Sequence, residues 1–246
     1  MLKQIWGDPG RVWTPQQVVR LADASGPAGP PGQFHYSNTN YIILGMIAQA
    51  VTGEPIQELI TTRILRPLHL YRTSFATVAA LPHPVVHGYG AGYGQVRDIT
   101  PQYDSPAAIS VAGAAYGMMS TVGDLQVWAR ALATGRLLSA AVQRQRLRLI
   151  PAWGLGSFRP LPGTPGPATV PQRYGLGVAA VGRWLGHDGY VTGGYSADKF
   201  YLPARRATIV VLVNGQDKRF EAAEGEAVSD AATASIAQVV MPGGLR

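Results

Sequence analysis

The feature that most restricts the fold is a change of texture near residue 170. Before it, apolar residues recur three and four apart between capping signals. After it, three short runs, "RYGLGVAAV", "SADKFYLP" and "ATIVVLVNG", are rich in β-branched and aromatic residues and are punctuated by Gly and Pro. A closing stretch, Glu221 to Val240, returns to helical spacing with acids at its start, where they complement the helix dipole. A block of helices, then strands, then one helix predicts an α+β fold. The helical subdomain is expected over about 14–150. The antiparallel sheet, with three strands in this chain and a C-terminal helix covering it, is expected over about 170–240.

Local signals place the helices. Thr14-Pro15 pairs an N-cap with a proline at the first helical position and opens a helix to about Ala24. A second helix runs from about Asn40 to Val51, with Gly53 placed to end it. Pro55 begins "PIQELITTRILRPL", in which Ile56, Leu59, Ile60 and Ile64 share a stripe. "STVGDLQVWARALATG", Ser120 to Gly135, is capped and stopped, and residues 139–149 read as one more helix. "SGPAGPPG" is a stiff loop too short to separate domains. Residues 82–112, rich in Pro, Gly and Tyr, read as a long irregular loop, of a kind that is usually either functional or disordered.

Composition removes several functions. The absence of Cys excludes disulfides, thiolate catalysis and Cys-ligated metals. The net charge of +7 is almost wholly Arg, since the lysines are Lys3, Lys199 and Lys218. Its densest group, Arg144, Arg146 and Arg148, reads first as a solvated helix face and second as a surface for an anionic partner such as a cell-wall polymer, and no nucleic-acid partner is expected. His35, His69, His83, His87 and His187 lack the spacing of a metal site, and no glycine loop leads into a helix to cradle phosphate, so no cofactor is expected. No apolar run reaches the ~18 residues that span a bilayer. The start, "MLKQIWGDPGRVW", has no signal peptide's apolar stretch.

Two clusters carry possible chemistry. Tyr36-Ser37-Asn38 crowds polar side chains ahead of an apolar helix. Ser37 or Asn38 can cap that helix while Tyr36 staples the loop. Alternatively Tyr36 is a general base, which at a free pKa of ~10 needs a cation beside it. "LGHDGYVTGG", Leu185 to Gly194, reads either as a glycine-rich hairpin turn with an incidental His187 or as a site where glycines let a ligand approach the backbone.

Together and in this order, the clusters resemble the penicillin-recognising serine hydrolases, in the branch of class C β-lactamases, related esterases and D-alanyl-D-alanine carboxypeptidases. That family carries Ser-x-x-Lys, then Tyr-x-Asn, then Lys-Thr-Gly or His-x-Gly. Tyr36-Ser37-Asn38 matches the second motif and His187-Asp188-Gly189 the third. The intervening "AGAAYGMMSTVGDLQVWARALATGRLLS" and "YGLG" at Tyr174 agree as well, so the likeness runs from about Thr14 to Val240. It implies a β-lactamase/transpeptidase-like fold and an acyl-enzyme mechanism on a small-molecule or peptide acyl substrate: D-Ala-D-Ala peptides, β-lactams or small esters. It also implies an exported bacterial protein. Tyr36 takes the place of the base, Asn38 of the amide clamp, and His187 of the group that holds Tyr36 and the substrate carboxylate. Gly189 and Tyr190 fall in the substrate-binding stretch, with the Tyr190 N–H as an oxyanion donor. Tyr36 and His187 are expected to converge on one crevice.

The first motif is missing. Its one match is Ser196-Ala197-Asp198-Lys199, which leads into "FYLP" and reads as a strand, where positions three apart point to opposite faces. The sequence therefore reads as the C-terminal part of a larger domain, with "ATIVVLVNG" left as an apolar edge for an N-terminal segment or second chain to complete. The competing expectation is a non-catalytic module of the same fold that binds peptidoglycan or a protein.

Overall fold

The computed structural model describes residues 7–26, 29–30, 32–76, 84–92, 95–152, 157–191, 194–216 and 227–245. The chain forms two compact units, one of residues 1–87 and 98–121, the other of residues 88–97 and 122–246.

The first unit is helical. Helix α1 (Pro15–Asp23) opens on a capping box in which Thr14 and Gln17 satisfy each other's main-chain N–H groups. Helix α2 (Asn38–Thr52) is capped by Ser37, whose hydroxyl accepts from the Thr39 N–H at 3.3 Å, and ends at Gly53 in the left-handed region (φ 72°). Helix α3 (Ile56–Ile60) passes into a π-helical turn at Thr61–Leu65 and one last α turn at Arg66–Leu68. Helix α4 (Pro106–Tyr116) starts at the Ser105 cap and kinks at Gly113. Trp13, Val18, Ile42, Ala107 and Val111 make the core that joins α1, α2 and α4. Gly45 permits the α2–α4 approach, because a Cβ there would lie 2.6 Å from the Ala114 Cβ. Replacing Ser37 by Ala removes the α2 cap and is expected to cost about 1 kcal/mol, read as a lower urea midpoint.

The expected long loop is largely structured. Residues 89–92 and 95–98 are strands, and α4 lies at its far end. The "SPAAISVAGAAY" run hides a helix because its polar face is made of small residues, so no charged periodicity marks it.

In the second unit α5 (Val122–Thr134) and α6 (Ala140–Arg146) precede the sheet. The strands are β1 (Val170–Tyr174), β2 (Ala179–Val181), β3 (Trp184–His187), β4 (Tyr190–Val191), β5 (Tyr195–Leu202) and β6 (Ala207–Val213). They pair antiparallel in the order β1–β2–β3–β5–β6, with two-residue strands at 150–151 and 157–158 added on β1. The expected three strands are thus too few. "RYGLGVAAV" is two strands around a turn at 175–177, where Gly177 has φ 68° and a Cβ on Gly175 would lie 2.1 Å from the Arg146 oxygen. "WLGH" is a further strand. Among the described residues β6 is paired on one side only, by β5.

Helices α5 and α7 (Val228–Val240) both pack on β5 and β6, from opposite faces of β5. Ala129 and Ala133 of α5 meet Tyr201, with Leu185 against them. Ser229 of α7 bonds Asp198, three residues from Tyr201 and so on the other face. Phe158 and Phe200, both fully buried, stack edge to face at 5.5 Å. The last helix begins at Val228; the expected start at 221–226 lies outside the described residues.

Candidate active site

The sequence-derived residues form two groups, one in each unit. Tyr36 and Asn38 flank the Ser37 cap. The extended backbone of Ser37 (φ −147°, ψ 126°) turns the chain into α2. Tyr36 is half-buried with its ring 5.8 Å from that of Tyr41, and Asn38, the first helical residue, is exposed. Capping and candidate chemistry therefore fall on neighbouring residues: Ser37 serves the helix, and Tyr36 and Asn38 lie on either side of it.

His187, Gly189 and Tyr190 lie along one edge of the β5 ribbon. His187 is opposite Lys199, and Tyr190 is opposite Ser196. Both pairs sum to the same register, so β3 continues into β4 without a bulge. Asp188 then falls across from Asp198 and Gly189 across from Ala197, whose N–H donates to the Gly189 oxygen at 2.7 Å. Residues directly opposite share a face, so His187 and Lys199 stand side by side. The Lys199 ammonium donates to the Ala197 oxygen at 3.3 Å and lies 3.5 Å from where a Gly189 Cβ would be. A Cβ at Gly189 would meet only ordinary contacts among the described residues. By contrast, one at Gly186 would lie 2.0 Å from the Lys199 oxygen. Of the other two glycines in "LGHDGYVTGG", Gly193 lies outside the described residues, and the Gly194 N–H donates to the Val191 oxygen at 3.2 Å.

The imidazole of His187 is held at both nitrogens. Nε2 meets the Tyr174 hydroxyl at 2.5 Å, and Nδ1 meets the main-chain oxygen of Asp188. The Tyr174 and His187 rings are nearly perpendicular, with centroids 5.5 Å apart. Burial, and after it the Lys199 ammonium, pushes the imidazole below its ordinary pKa, while Asp188 pulls the other way. Burial lowers Lys199 too, against the pull of Asp188 and Asp198.

On the other face lies a carboxyl pair. Asp198 is fully buried and accepts from the Ser229 hydroxyl at 2.9 Å; Asp230 accepts from the Ala227 N–H at 3.0 Å. The two carboxyls are close enough to share a proton, and burial first, then neighbouring carboxylates, raises Asp198 to about 7 and Asp230 to about 9.

Ser196 and Lys199 sit on opposite faces of β5, Ser196 buried and Lys199 beside His187. The pairing of nucleophile and base that Ser-x-x-Lys provides on a helix does not form there. Two residues escaped the sequence reading. Tyr174 stood out in sequence only through the "YGLG" stretch of the resemblance, with no role attached, and Lys199 only as the tail of a spurious motif; strand register is the signal that would have linked each to His187. Among the described residues no group of His, Asp and Glu could hold a metal ion, and no helix is long and apolar enough to cross a membrane.

The chain is 30% identical over 225 residues to Unguisins hydrolase ungD of Aspergillus violaceofuscus, a match covering 83% of this chain and 38% of that protein. Its fold superposes on a D-stereospecific amidohydrolase from Streptomyces sp. at 29% identity and TM-score 0.68, covering 90% of this chain and 64% of that one. It also superposes on the D-amino acid amidase of Ochrobactrum anthropi at 23% identity and TM-score 0.74, covering 94% and 65%. In each case the chain spans less than two thirds of the relative's length. The family profile described as Beta-lactamase matches residues 3–233, nearly the whole sequence, and the chain belongs to that family of serine hydrolases.

Proposed function

We propose that the chain supplies the base, the clamp and one oxyanion donor of a serine-hydrolase site that acts through an acyl-enzyme on D-Ala-D-Ala peptides, β-lactams or small esters. The observation that carries this reading is the stretch His187–Tyr190. There the ribbon keeps its register through a glycine where a Cβ would meet only ordinary contacts, beside an imidazole held at both nitrogens. An extended acyl substrate can lie along such a strand. Likeness to a D-stereospecific amidohydrolase favours D-configured amides within this class.

In this scheme a serine hydroxyl attacks the carbonyl carbon while Tyr36 takes its proton and passes it to the leaving group. Water then attacks the ester and releases the acid. Asn38 clamps the substrate amide. The strand face shared by His187 and the Lys199 ammonium receives the substrate's acid end, and the Tyr190 N–H stabilises the oxyanion, a contribution of ~3 kcal/mol to the barrier. The serine is not Ser196, which faces away from Lys199, and we assign it to a segment outside these 246 residues. The same observation favours the second reading, a module that binds peptidoglycan stems or a protein without turning them over.

Two measurements on the chain test this. D-alanyl-D-alanine at roughly 10 mM, a concentration suited to weak binding, is expected to shift the amide resonances of Gly189 and Tyr190 and the ring resonances of Tyr36. Absence of shifts in both groups ends the proposal. A fluorescent penicillin is expected to leave the chain unlabelled and to label it once a Ser-x-x-Lys segment is supplied. Labelling of the chain alone overturns the assignment of the nucleophile, and no labelling after the segment is supplied leaves the binding module as the function.

A further inference from the structure

We propose that Tyr174 is the positioning residue of His187, holding the imidazole as the Nδ1–H tautomer with its Nε2 lone pair pointed at the tyrosine and away from the ligand. The wiring is fixed by what each partner can give. The main-chain oxygen of Asp188 can only accept, so Nδ1 must carry a hydrogen. A neutral ring then has a bare Nε2, and the Tyr174 hydroxyl, 2.5 Å away, donates to it. A charged ring would need a proton on Nε2 as well. Burial and the Lys199 ammonium across the register both oppose that charge, while Asp188, whose carboxylate lies 3.7 Å from Nδ1, favours it.

Tyr174 is well placed to impose an orientation. It is 4% exposed, and it ends β1 just before the 175–177 turn. Its ring abuts the imidazole edge to face. It lies within electrostatic reach of Arg146, whose guanidinium donates to the Leu132 oxygen of α5. With both ring nitrogens spoken for inside the protein, His187 meets a ligand through its C–H edge and its fixed position. The cation on that face is Lys199, on the neighbouring strand. The assignment of a ligand to this place rests on the proposed function; the tautomer does not.

The test is long-range 1H–15N correlation of the His187 ring at pH 7 in the full chain. A protonated Nδ1 and a bare Nε2 are expected in the wild type. Tyr174→Phe keeps the ring packing and removes the donor; it is expected to move His187 toward the Nε2–H tautomer or a mixture. A wild-type ring protonated at Nε2 overturns the inference without recourse to any variant, and so does a Tyr174→Phe spectrum with the tautomer unchanged. Tyr174→Phe is also expected to weaken D-alanyl-D-alanine binding by roughly 2- to 12-fold, the worth of one ordinary hydrogen bond. A wild type that shows the Nδ1–H tautomer yet binds no dipeptide removes the proposed function and leaves the positioning of the ring standing.

Discussion

Between pH 6 and pH 9 the wild type will lose thermal stability relative to the Asp198→Asn and Asp230→Asn variants. In the unfolded chain both carboxyls ionise near the ordinary 3.8; in the fold Asp198 is raised to about 7 and Asp230 to about 9, first by burial and then by neighbouring carboxylates. From about pH 4 upward the folded chain therefore keeps protons that the unfolded chain has released. The sign follows: this contribution to stability is complete below about pH 4 and is lost as pH rises through 7 and 9. The two groups titrate as a pair, so the loss is spread across the window instead of falling in one step. One retained proton is worth ~1.4 kcal/mol per pH unit, so three units give a few kcal/mol. Allowing for relaxation of the pair, at least ~2 kcal/mol remains, or a melting point lower by roughly 4–8 °C.

Asparagine keeps the shape and can donate from its amide where the shared proton was, so each variant flattens the profile. Lys199 and His187 act in the opposite sense, because their lowered values make the unfolded chain the better proton binder. The difference between wild type and variant is thus the quantity to read, by circular-dichroism melts across the pH range. Parallel curves for wild type and both variants would remove the buried shared proton from the account.

That pair also shows where sequence reading stops. The caps at Thr14, Ser37 and Gly53 were legible because each acts within a few residues of itself. The strand assignment of Ser196–Lys199 was legible because alternation is local, and the structure bears it out. The turn at 175–177 was not, since Gly-Leu-Gly inside an apolar run reads as strand interior until Arg146 is seen pressing on Gly175. Helix α4 was lost for a related reason: small residues pack α4 against α2 at Gly45 but carry no amphipathic signal. The motif at His187 stood out as residue types in order. Its partners Tyr174 and Lys199 did not, because they reach it through strand pairing across 13 and 12 positions. The Asp198 and Asp230 carboxyls meet across 32 positions, between a strand and a helix, and nothing local to either announces the meeting.

Gly186→Ala will abolish the native sheet, whereas Gly189→Ala, three residues on, will fold. A Cβ on Gly186 would lie 2.0 Å from the Lys199 oxygen, 2.7 Å from the Phe200 Cα and 2.8 Å from the Phe200 Cδ1. Two of these atoms are backbone, and they belong to β5, which is paired on both sides: Lys199 with His187 and Val210, Phe200 with Gly186 and Ile209. The strand cannot retreat without breaking one ladder, and the Phe200 ring cannot swing, because it is 1% exposed and stacked on Phe158. Steric conflict of this kind belongs with the severe class of substitutions, ~4 kcal/mol or more, enough to leave the variant insoluble or without a cooperative melt. At Gly189 the nearest atoms to a new Cβ are 3.4 to 4.0 Å away, which is ordinary contact, so the melting point should stay within about 2 °C. The same methyl would occupy the surface assigned to the ligand, so Gly189→Ala should fold normally and bind D-alanyl-D-alanine more weakly. Equal stability of the two variants would mean that β3 and β5 are not in the register that sets His187 beside Lys199, and the geometry around the imidazole would fall with it.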